Sequence, residues 1–134
     1  MTVKLDTDNI RTIVMFQKIT KVHARDVLIG NNCVYFLVDP KMMGLAIGKN
    51  GSNIKEIRKI MDKNIKIFGY SKEPEEFIRN IVPKAKSIDL SNGSAVITVH
   101  PGDKTSVIGK NGENIKAVKT LVKRYFQINH VKLR

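Results

Sequence analysis

The 134-residue sequence predicts an α+β protein in which one unit of order α-β-β-α-α-β occurs twice in tandem, each copy a three-stranded sheet packed on helices. Three observations predict this. Residues 46–55, Ala-Ile-Gly-Lys-Asn-Gly-Ser-Asn-Ile-Lys, return as Val-Ile-Gly-Lys-Asn-Gly-Glu-Asn-Ile-Lys at an offset of 61 residues. Around this motif the apolar positions stay in register: Val38 and Pro40 meet Val99 and Pro101, and Ile57, Ile60 and Met61 meet Val118, Leu121 and Val122. A likeness that extends past the loop marks a repeated fold and not a repeated turn. Finally, 42% apolar and 27% charged residues is the balance of a chain with a core.

The elements follow in order. Asp8 caps a first helix carrying Ile10, Ile13 and Val14. Apolar runs at residues 27–29 and 34–38 flank Gly30-Asn31-Asn32 and read as two strands joined by a turn. A helical turn leads into Gly48-Lys49-Asn50-Gly51. Beyond it Ile54, Ile57, Ile60 and Met61 recur at helical spacing, leaving Lys55, Arg58, Lys59 and Lys63 to other faces. A β-prone segment at residues 65–70 closes the copy.

The second copy opens with Pro74 in the first turn of a helix that carries Phe77, Ile78, Ile81 and Val82. Residues 87–90 alternate polar and apolar, turn at Asn92-Gly93 and return through Val96, Ile97 and Val99, a strong hairpin signal. The helix after the second loop sets Ile115, Val118, Leu121 and Val122 against Lys116, Lys119, Lys123 and Arg124, and a β-prone segment at residues 126–133 ends the chain. The boundary falls near Ser71 to Pro74, giving domains 1–72 and 73–134.

The formal net charge is +12, and it is spread: residues 1–72 carry 13 basic and 6 acidic groups, residues 73–134 carry 11 and 6. Such a surplus favours a polyanion, nucleic acid or an anionic membrane surface, through counterion release. Cys33, the single cysteine, excludes an internal disulfide and reads as a small core residue. Met1 to Ile10 holds no apolar stretch of the secretory kind, and nothing approaches the roughly 18 apolar residues of a membrane span. A cytoplasmic location is expected.

The two loops carry the chemistry. Glycines two residues apart let the backbone turn sharply and present bare amides where a Cβ would obstruct contact. The helix behind each loop begins near Ser52 or Glu113, and its N–H groups and dipole favour an anion. Lys49 and Lys110 add a charge at the tip, while Asn50 and Asn111 tolerate a left-handed backbone and donate without choosing a base. A nucleotide-binding P-loop is excluded by spacing. Gly44 and Gly48-Lys49 enclose three residues where four are needed, Gly102 and Gly109 enclose six, and Asn50 and Asn111 stand where Ser or Thr would hold magnesium.

The motif Ala/Val-Ile-Gly-Lys-Asn-Gly-x-Asn-Ile resembles the signature of KH domains, and the helix-first order resembles their type II form. Two such modules over residues 5–134 resemble the archaeal NusA family of transcription factors. The resemblance implies that Gly48, Lys49, Asn50, Gly51, Gly109, Lys110, Asn111 and Gly112 clamp the backbone of single-stranded RNA. It implies equally that Ile47, Ile54, Ile108 and Ile115 line or support the groove floor, with Asn53 and Asn114 belonging to the same binding motif. Each groove would hold about four nucleotides. Lys66, Lys104, Lys119 and Arg124 are further candidates for backbone contact. Bacterial members carry a polymerase-binding domain and an S1 domain that these 134 residues leave no room for, so effects carried by those parts do not transfer.

Aromatic residues are only 6%, with no Trp, which suits a clamp better than a base-stacking platform. His23, His100 and His130 match no metal spacing, Met42-Met43 reads as gap-filling, and no nucleophile–base grouping stands out. The expectation is a non-enzymatic, monomeric RNA-binding protein without metal or cofactor, a NusA-like termination or antitermination factor. Single-stranded RNA and RNA polymerase or the transcription complex are its expected partners. The alternative is a ribosome-associated or RNA-processing KH protein.

Overall fold

The computed structural model describes residues 7–134. They form two compact units that meet in sequence between Tyr70 and Ser71.

In the first unit α1 (Thr7–Thr20) precedes β1 (Asp26–Ile29) and β2 (Cys33–Val38), then come α2 (Met43–Ile47), α3 (Ser52–Met61) and β3 (Asn64–Gly69). The sheet order is β1-β2-β3, antiparallel across β1 and β2, parallel across β2 and β3. Central strand β2 is buried at all six positions, which is why it reads Cys-Val-Tyr-Phe-Leu-Val without alternation. Helix α1 turns Ile13 and Phe16 inward, and Phe16 stacks on Phe36 with ring centroids 4.2 Å apart. Val22, Val27, Ala46 and Ile57 belong to the same core.

Two expectations are corrected here. Asp8 lies inside the first turn of α1 and does not cap it, because the helix already begins at Thr7; its charge favours the dipole from within. Ile60, expected on the inner stripe of α3, is 57% exposed, while Ile57 one turn earlier is fully buried. The segment Met1 to Ile10, read above for a secretory stretch, lies partly outside the described residues.

The second unit runs α4 (Pro74–Ile81), β4 (Ser87–Ser91), β5 (Ser94–Thr98), α5 (Lys104–Ile108), α6 (Glu113–Phe126) and β6 (His130–Leu133). Its sheet, β4-β5-β6, again pairs its centre antiparallel to one neighbour and parallel to the other. Pro74 takes the first turn of α4. Asn92 (φ 39°) and Gly93 (φ 79°) make the tight turn of the hairpin, both left-handed as a two-residue connection requires. Phe126 is the last residue of α6, not the first of a strand. Its ring meets that of Phe77 edge-on at 5.2 Å, and Tyr125 lies 6.0 Å from the same ring. This packing carries α6 to 14 residues where α3 has 10, and the strand starts only at His130.

Among the described residues no helix is long and apolar enough to cross a membrane. Cys33 is buried, as a small core residue would be.

Candidate nucleic-acid interface

In each unit a five-residue helix, α2 or α5, runs into the glycine loop, and the loop runs straight into α3 or α6. The two loops have the same backbone. Gly48 and Gly109 sit at φ/ψ 81°/165° and 80°/174°, Asn50 and Asn111 at 56°/28° and 56°/26°, Gly51 and Gly112 at 72°/19° and 73°/14°.

The first and second glycines are required for different reasons. At Gly48 and Gly109 the backbone is in a region open essentially to glycine alone. A Cβ on Gly48 would also stand 2.9 Å from the backbone nitrogen of Asn53 and 2.8 Å from Ser52 Oγ; on Gly109 it would stand 2.7 Å from Asn114 Cγ. Gly51 and Gly112 are left-handed with nothing within 4 Å of the missing Cβ, so this side of the loop is open to an approaching strand.

Asn53 and Asn114 hold the loop. The side-chain amide of Asn53 donates to the Leu45 carbonyl at 3.0 Å, and that of Asn114 to the Ser106 carbonyl at 3.2 Å, tying each long helix to the short one across the bend. Both had been expected in the RNA site; the geometry gives them this bracing contact.

The loops also spend amides that had been expected to be bare. Gly48 N–H donates to the Gly44 carbonyl at 3.0 Å, Gly51 N–H to the Gly48 carbonyl at 3.0 Å, and Ser52 N–H to the Lys49 carbonyl. Gly109, Gly112 and Glu113 do likewise. A tight 3₁₀ turn closes its own hydrogen bonds. At the starts of α3 and α6 the capping residues, Gly51 and Gly112, supply no side-chain acceptor, and the helix dipole there favours an anion.

Lys49, Asn50, Lys110 and Asn111 are exposed at the tips. Beside them Ile47 and Ile108 are 37% and 38% exposed, and Ile54 and Ile115 are half-buried, so each loop borders an apolar strip. Lys66, Lys104 and Lys119 are exposed on β3, α5 and α6; Arg124 is half-buried. Met43 packs against the core, whereas Met42 is exposed and fills no gap. Leu45, 51% exposed on α2 beside the first loop, is not marked as a site residue by its type or spacing in the sequence. Its one signal is that residues 42–45 and 103–106 differ just before the repeated motif, inside an otherwise repeated unit. Among the described residues no cluster of His, Cys, Asp or Glu is placed to hold a metal.

Residues 10–90 and 73–134 each match the KH domain family. The chain is also 31% identical over 137 residues to the probable transcription termination protein NusA of Methanocaldococcus jannaschii, an alignment covering 98% of this chain and 75% of that one. The chain belongs to the archaeal NusA family of tandem KH-domain proteins. Other NusA relatives agree: identity is 30% to that of Methanococcus vannielii, over 99% of this chain and 80% of the relative, and 28% to that of Halococcus morrhuae, over 99% of each. The crystal structure of APE1850 matches with a TM-score of 0.78 at 33% identity, across 97% of this chain and 100% of the other. NusA-like KH proteins are non-enzymatic transcription factors.

Proposed function

We propose that this NusA-family chain binds single-stranded RNA through its two glycine loops and acts in transcription termination, the role its relatives are named for, or in antitermination. The observation that carries this is the duplicated loop: two bends with the same dihedral angles, each with an exposed lysine and asparagine at the tip and an uncapped helix start behind it.

A phosphate settles at the start of α3 or α6, where the helix dipole and the lysine both favour negative charge. The missing side chains of Gly51 and Gly112 let ribose and phosphate come close. Bases then lie toward Ile47 and Ile54, or Ile108 and Ile115, excluding water without selecting a base. Each unit spans about four nucleotides. RNA polymerase or the transcribing complex is the partner in this reading, and the protein works as a cytoplasmic monomer.

The test is binding of single-stranded RNA by a chain in which Lys49, Asn50, Lys110 and Asn111 are all replaced with Asp. A folded variant with sharply weakened binding is expected; unchanged affinity would refute the clamp. Recovery of the tagged protein with nascent transcripts supports the transcriptional role, and recovery with ribosomal particles alone favours a ribosome-associated or RNA-processing one.

A further inference from the structure

The two loops share a backbone, so any difference in their grip must come from side chains. Three differences fall at equal repeat positions. Ser52, the first residue of α3, is replaced by Glu113 at the start of α6. The Ser52 hydroxyl lies against the first loop, within 2.8 Å of where a Gly48 Cβ would be, and can donate to a phosphate; a carboxylate can only accept. Negative charge in the first turn of α6 also answers the helix dipole that α3 leaves to a ligand.

The second difference is local charge. Residues 42–55 hold Lys49 and Lys55, the nearest carboxylate on α3 being Glu56, whereas residues 103–116 hold Lys104, Lys110 and Lys116 with Asp103, which pairs with Lys84, and with Glu113 at the start of α6. The third is the short helix. In the first unit it presents Met42 and Leu45, apolar and exposed. In the second, Asp103 and Ser106 take those places and are engaged by Lys84, whose Nζ is 3.7 Å from Asp103 Oδ1 and 3.1 Å from Ser106 Oγ.

We infer that the clamps are unequal: residues 48–52 are the tight grip on a ribose-phosphate strand and residues 109–113 the weak one, with Ser52 and Glu113 setting the difference. The inference rests on the reading of both loops as RNA clamps. It assigns the first unit as the stronger grip and the second as the weaker one, its affinity set low by its own glutamate.

Anisotropy of a labelled single-stranded RNA of about twelve nucleotides, long enough for two clamps of about four, tests this on the full chain. Replacing Lys49 and Asn50 with Asp is expected to weaken binding at least about threefold more than replacing Lys110 and Asn111, the size a helix-terminal charge typically produces. On the chain with the first loop altered, Glu113→Ser is expected to raise affinity by roughly threefold. Equal losses, a larger loss from the second loop, or no gain from Glu113→Ser overturns the inequality and leaves the clamp reading standing. No loss from either pair of substitutions overturns both. Titration of the unaltered, ¹⁵N-labelled chain with a single-stranded RNA of about four nucleotides, which fills one clamp at a time, needs no variant: amide shifts at residues 48–52 should saturate at lower RNA than those at residues 109–113, and simultaneous saturation overturns the proposal.

Discussion

The amide of Asn53 reaches across the first glycine bend to the carbonyl of Leu45, 3.0 Å away, so this residue of the binding motif braces two helices. Removing it should cost about 1 kcal/mol of stability, the net worth of one such hydrogen bond. Asn53→Ala is therefore expected to lower the denaturation midpoint modestly and to raise hydrogen exchange at residues 48–52. Asn114→Ala should do the same around its bond to Ser106.

The glycines of one loop should differ in what they tolerate. Gly48→Ala puts a methyl group against the Asn53 backbone in a conformation alanine does not adopt, an expected cost of about 3 kcal/mol or more. Gly51→Ala meets no atom within 4 Å and bears only the left-handed penalty, about 1 kcal/mol. Urea melts of the two variants check the ordering.

Ile60 and Leu121 hold the same repeat position but opposite environments, 57% against 1% exposed. Leu121→Ala should destabilise by about 2–5 kcal/mol, as for other buried large-to-small changes. Ile60→Ala should stay within about 0.5 kcal/mol. Calorimetry on both variants measures the contrast, and similar losses would contradict the burial.

Binding of single-stranded RNA should weaken with salt, with a log–log slope of about −0.7 for each phosphate neutralised. Replacing both Lys49 and Lys110 with Gln is expected to flatten that slope by about two such steps, one per tip. Titrations at several salt concentrations give both slopes.

Much of the fold was legible because the chain states its pattern twice. Pro74, Asn92-Gly93 and the loop glycines are residues whose backbone demands are local, and each stands where those demands place it. What escaped the sequence depends on neighbours distant along the chain. The end of α6 is decided by Phe77 packing on Phe126, and nothing in residues 126–133 alone distinguishes a last helical turn from a strand. The stripe of α3 gave no sign that Ile60 faces outward, since periodicity reports a face but not how far the neighbouring element covers it. At the candidate site the tip residues were readable from type and spacing. The bracing role of Asn53 and the internal use of the Gly51 amide were not, because both are hydrogen bonds that exist only once the bend has closed.

In each unit the strand entering the bend and the strand leaving it run side by side; in the first, Cys33 to Val38 pair with Asn64 to Gly69 along their whole length. A proteolytic nick after Lys49 would therefore leave two fragments still laced together by the sheet. The tip is correspondingly the place where foreign sequence can be spliced in at least risk to the scaffold.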